Sequence, residues 1–208
     1  MSLRVTFTGV AAVAMVVLMS WSPASARAEV KVSEQDEQFL RQAHQGNLAE
    51  IAAGKVAQAK GTAEDVHSIG ATLVTDHTKL DTAVKQTASS LRVSLPAKPA
   101  SQDRAMLERV AALSGSAFDR AWVTAMIKGH RAALELGKQE LRAGTSPEVK
   151  ALAESSAPVI QRHLSLLLAA QKTVGKPHAL APGDGVLARR QAAKRWQGFG
   201  SWAVPLLP

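Results

Sequence analysis

The stretch RVSLPAKPAS, residues 92–101, decides the fold of this chain. Pro96 and Pro99 lack the N–H that a helix interior needs, and each pushes the residue before it toward extended backbone, so no helix continues through this segment. On both sides the chain is rich in the helix formers Ala, Leu, Gln, Lys and Glu. The topology therefore depends on how far the helices on either side of the prolines stand apart.

Upstream, Ser33 with Asp36 has the spacing of a capping box and opens a helix that runs to about Lys60, where Gly61 stops it. Thr62 with Asp65 repeats the pattern and opens a second long helix to about Leu91, so the two form a tight antiparallel hairpin. Downstream, QDRAMLERVAAL (102–113) is a short helical piece that stops at Ser114-Gly115. Ser116, with Asp119 at the box position, opens a third long helix to Ala143. Ser146 followed by Pro147 opens a fourth to about Val174, with Pro158 expected to kink it just before His163. Some 24 residues thus separate the second and third long helices, too many for an up-and-down bundle with short loops. The expected fold is all-α: a ferritin-like four-helix bundle with a crossover connection that contains a short extra helix. Its expected extent is residues 29–175.

The flanks read differently. The first 28 residues have a basic start at Arg4, an apolar run from Val5 to Met19 and small residues at ASA and ARA, the pattern of a secretory signal peptide cleaved after Ala26 or Ala28. A periplasmic location follows as the expectation. Residues 176–208 carry Pro, Gly, Trp196, Phe199 and Trp202 among Arg and Lys, and read as a flexible tail suited to weak contact with the envelope or a membrane surface.

Charge and composition narrow the function classes. The net charge is +8, but the leader holds two of the positive charges and the tail a net +4, so residues 29–175 are only +2. That distribution argues against a nucleic-acid partner. With no cysteine there is neither a disulfide framework nor a lipidation site. Gly-rich phosphate loops, HExxH motifs and nucleophile elbows are absent from the sequence, so no nucleotide is expected, and a redox or hydrolytic activity would need an open position on a bound metal. No sequence feature selects a substrate, and a non-enzymatic role is the expectation.

The informative residues are polar ones on apolar helix faces. At 100° per residue, His77 falls among Val66, Leu73, Val74, Leu80 and Val84. His130 falls among Val123, Met126, Ile127 and Leu134, and His163 among Leu152, Val159, Ile160 and Leu167. The first helix points Glu50 inward beside Phe39, Ala43, Asn47, Gly54 and Ala57. Counting helical rise, all four lie mid-bundle within about two turns of one level. A buried glutamate needs a partner, which the histidines supply.

Three readings compete. One is a site for a divalent metal ion made by Glu50, His77, His130 and His163, with Asp76 and Asp119 as candidates to orient the ligands from behind. Another is a metal-free hydrogen-bonded network that sets helix register, in an envelope protein with a structural or interaction role. In the third, each histidine is satisfied on its own. Asp119 is better placed as the capping residue for Ser116, and His44, His67 and His178 look peripheral. The ExxH pairs of di-iron bundles are missing, because Val74 and Ile160 stand three residues before His77 and His163, so a di-iron centre is not expected.

Four segments, FLRQAHQGNLAEIAAGKVAQAK, TLVTDHTKL, LSGSAFDRAWVTAMIKGHRAALEL and APVIQRHLSLL, occur in that order behind the leader. In this the chain resembles the bacterial family called domain of unknown function 4142, over about residues 36–172. The resemblance implies a ferritin-like helical fold in the bacterial envelope, with Glu50, His77, Asp119, His130 and His163 at recurring polar positions. It implies no activity. Members are often labelled outer-membrane proteins, but without a lipidation cysteine or alternating barrel strands this chain fits the periplasm better.

Overall fold

A computed structural model describes residues 32–174; the expected leader and the tail from 176 onward lie outside the described residues. Five helices follow one another: α1 (Glu34–Lys60), α2 (Glu64–Ser90), α3 (Ser101–Ala111), α4 (Gly115–Ala143) and α5 (Pro147–Gln171). The described residues contain no strand, and none of their helices is long and apolar enough to cross a membrane.

Helices α1 and α2 pack as one hairpin and α4 and α5 as another; α1 then meets α4, and α2 meets α5. The direction of the second hairpin is set by two aspartates. Asp119, near the start of α4, accepts hydrogen bonds from the Thr62 and Ala63 amides, each at 3.0 Å, and from the Thr62 hydroxyl, in the α1–α2 turn. Asp36, near the start of α1, accepts from the amides of Thr145 (2.9 Å) and Ser146 (3.1 Å) and from the Thr145 hydroxyl (2.7 Å), in the α4–α5 turn. The start of each hairpin thus clasps the turn of the other, so α4 runs antiparallel to α1 and α5 parallel to it. This is the expected ferritin-like bundle. The crossover climbs beside α1: Arg41 donates to Ser94 O, Gln45 to Lys98 O and Lys60 to Ala111 O.

Some local expectations are corrected. The capping box at Ser33 forms, with the Ser33 amide donating to Asp36 at 2.8 Å and the Asp36 amide to the Ser33 hydroxyl at 3.2 Å. The Thr62–Asp65 box does not: the N-cap of α2 is Ala63, with no side-chain bond, and Thr62 stands one residue before it with its hydroxyl donating to Asp119. Asp119 does not cap Ser116 either, since α4 begins at Gly115 behind Ser114. Pro158 lies inside α5, which runs as one helix from Pro147 to Gln171. The end of α2 is closed by Arg92 at φ 58°, with Arg92 N bonded to Ser89 O and Val93 N to Ala88 O, a Schellman pattern in which glycine is the usual residue.

The core has two apolar parts. One is built by Ala53, Leu73, Phe118, Trp122, Ile127 and Leu167; the other by Phe39, Leu40, Val84, Val149 and Leu152. Between them in sequence, on every long helix, stand buried polar residues: His44 and Asn47, His77 and Asp81, His130, and His163. Close approach of α1 and α2 brings part of this layer together. A Cβ on Gly70 would meet Ala57 Cβ at 2.8 Å and Gly54 O at 2.9 Å, so only glycine permits that crossing.

Candidate metal centre

His77 from α2, His130 from α4 and His163 from α5 meet in the middle of the bundle. Their ring centroids are 5.6 Å (77–130), 5.3 Å (77–163) and 5.5 Å (130–163) apart. All three are buried, with His163 at 0 % and His130 at 1 % exposure.

Each ring is fixed from behind by an oxygen. His130 Nδ1 lies 2.9 Å from Met126 O, a carbonyl that can only accept, so Nδ1 carries the proton. His163 Nε2 lies 3.1 Å from Asp76 Oδ2, a carboxylate that this histidine and Arg162 hold below its usual pKa, so Nε2 donates. His77 Nδ1 donates to Asn47 Oδ1 at 2.9 Å. The lone pairs consequently sit on His77 Nε2, His130 Nε2 and His163 Nδ1. All three atoms are buried without a hydrogen-bond partner among the described residues. One nitrogen from each ring forms a group whose members all lie within 4.8 Å of one another.

The electrostatics agree with neutral rings. Burial, followed by the neighbouring His130 and His163, lowers the His77 pKa to about 3. Burial lowers that of His130 to about 4, and that of His163 in the same direction against the pull of Asp76. Neutral imidazoles with outward N–H groups tied to oxygens are the form that binds a transition-metal ion. The donor set fits: from the corners of a triangle no more than 4.8 Å on any side, ring shifts of less than about 1 Å reach the ~2.0–2.1 Å of a zinc–imidazole bond.

Glu50 is placed differently from the other three candidates. Its Oε1 lies 3.5 Å from His130 Nδ1, the protonated face of that ring, and it is not one of the clustered donors. Burial, with Asp103 adding like charge, raises its pKa to about 8, and its Oε2 has no partner among the described residues. Gly129 makes room for it, since a Cβ there would meet Glu50 Oε1 at 2.9 Å. Asp76 stands behind His163, whereas Asp119 is committed to the α1–α2 turn.

Other buried polar residues escaped the sequence reading. Asn47 was visible on the inner face of α1 but not as the partner of His77. His44, read as peripheral, is buried and pairs with Asp81 at 2.6 Å, which also holds Lys85 at 2.9 Å. Glu140 is fully buried near Asp36, and burial together with Asp36 raises its pKa to about 7. The signal for His44 and Asp81 was present, as both share the inner stripes of α1 and α2.

The family described as "Domain of unknown function (DUF4142)" matches residues 22–170. The chain belongs to the DUF4142 family. No curated protein matches it. The DUF4142 bundle is similar to a crystal structure of a DUF305 fragment from Deinococcus radiodurans, with a TM-score of 0.61, 14% identity, and coverage of 68% of this chain and 98% of that one. At that identity the likeness concerns the helical fold alone.

Proposed function

We propose that this protein is a periplasmic metal-binding bundle that holds one late first-row divalent ion, zinc or copper, on His77, His130 and His163. The observation that carries the reading is the convergence of three lone pairs. A hydrogen-bonded register network would put a proton between facing nitrogens, yet each ring spends its only N–H on an outward oxygen. Three acceptors facing one another in a buried site repel, and a cation removes that cost. Imidazole donors without thiolate or a carboxylate cage favour zinc, copper or nickel over magnesium or calcium. The signal-like leader supports export, and the basic aromatic tail supports contact with the envelope surface.

The test is metal uptake by protein purified without a His-tag. One zinc or copper ion per chain is expected, with a rise in Tm, since an ion at a hundredfold excess over its Kd adds about 2.7 kcal/mol. His77→Ala combined with His163→Ala should abolish both. Substoichiometric metal and an unchanged Tm on adding each ion would sink the proposal. Export is checked separately by cell fractionation with N-terminal sequencing, where protein confined to the cytoplasmic fraction with Met1 intact contradicts it.

A further inference from the structure

The triad is not sealed. A cleft of about 580 Å³ is lined from all five helices, and His77, His130, Asn47 and Glu50 form part of its wall. Most of the remaining wall is apolar, including Phe39, Met106, Leu107 and Leu136. Gly46 and Gly137 also line it, and a Cβ at either would meet nothing within 4 Å, so the space is open at both points. Its size is that of a small-molecule site, a few hundred to about 1,000 Å³ with apolar walls and a few converging polar atoms.

The two ends of the cleft call for different chemistry. At the buried end, His77 Nε2 and His130 Nε2 have no partner among the described residues. A divalent ion on three neutral imidazoles brings its whole charge into a low-dielectric layer, and an anionic oxygen cancels half of it. Three protein nitrogens also leave a tetrahedral ion one position short. Along the rest of the cleft, a hydrocarbon chain buries apolar surface at about 0.8 kcal/mol per CH₂.

We propose that the cleft binds an amphiphilic monoanion, a medium-chain carboxylate or comparable apolar acid, with its head group on the metal and its apolar body between α1 and α4. This rests on the metal reading, and the test keeps the two apart. Zinc content is measured first. Octanoate binding is then followed by calorimetry on the zinc-loaded protein, the metal-free protein and the zinc-loaded Gly137→Leu variant, with octanol as the uncharged control. Leucine at 137 enters open space on a helix and fills the cleft; Gly46→Leu serves if the thermal melt shows Gly137→Leu unfolded.

Octanoate should bind the zinc-loaded protein about tenfold more tightly than the metal-free protein, and about tenfold more tightly than octanol binds. The leucine variant should keep its zinc and lose octanoate by a similar factor. Stoichiometric zinc without octanoate binding, with equal binding to both forms, or with binding untouched by leucine, overturns the inference and leaves the metal site standing. A protein that takes up neither zinc nor copper overturns both, and one that takes up copper alone is carried through the same octanoate series in its copper-loaded form.

Discussion

Asp76 of α2 accepts a hydrogen bond from His163 of α5 at 3.1 Å while also holding Arg162 at 2.7 Å, so one carboxylate joins two helices and orients an inward ring. Such a carboxylate fixes the tautomer and raises ligand basicity. Asp76→Ala should weaken metal affinity by about 10–100-fold in a chelator competition. A change of less than twofold would show that His163 needs no orienting partner.

The metal-free protein should lose stability on acidification. His77 and His130 have folded pKa values of about 3 and about 4 against an ordinary 6.5, so between those limits the unfolded chain binds more protons than the folded one. Stability therefore falls as pH drops from about 6.5 toward about 3, and urea midpoints across that window report it. In His77→Leu the slope should be shallower.

Glu140 acts in the opposite sense. Its folded pKa of about 7 exceeds the ordinary 4.5, so the folded state binds the extra proton and its contribution is lost as pH rises through that interval. Glu140→Gln removes the titration beside Asp36. At pH 8 the variant should be more stable than the parent by roughly 1–3 kcal/mol, the cost of a buried unpaired polar group. Equal urea midpoints for the two proteins at pH 8 would count against this.

Arg92 is exposed and sits at φ 58°, where a side chain costs about 1–2 kcal/mol relative to glycine. Arg92→Gly loses part of that gain to unfolded-state entropy, leaving a net stabilisation of about 0.5–1 kcal/mol. A lower Tm for the variant would contradict the account.

Gly70→Ala should force α1 and α2 apart, because the new Cβ meets both the Ala57 side chain and the Gly54 carbonyl. Overpacking of this kind costs about 1–3 kcal/mol. The same displacement separates Asn47 from His77, so metal affinity should fall together with Tm. Unchanged metal affinity in a destabilised variant would uncouple the crossing from the site.

Much of the fold was legible because helix signals are local. Capping spacing, glycine stops and the two prolines delimit five helices, and the length of the crossover alone selects the ferritin-like topology. The inward positions of His77, His130 and His163 followed from helical periodicity. Capping partners were less legible: Asp65 and Asp119 have the right offsets for Thr62 and Ser116, but offset cannot reveal a stronger acceptor arriving from another helix. The clasps left a trace even so, since Gly-Thr follows Asp36 and Asp119 at the same interval, at Gly61-Thr62 and Gly144-Thr145.

The sequence by itself determined which residues are helical, which face of each helix is buried and that the buried faces carry imidazoles, because these depend on 3.6-residue periodicity and on caps within a few residues. Only the tertiary structure decided which nitrogen of each ring points inward and that Glu50 stands behind His130. Those outcomes depend on the axial offset and rotation of one hairpin against the other. Contacts distant in sequence set both: Asp36 on Thr145 and Asp119 on Thr62.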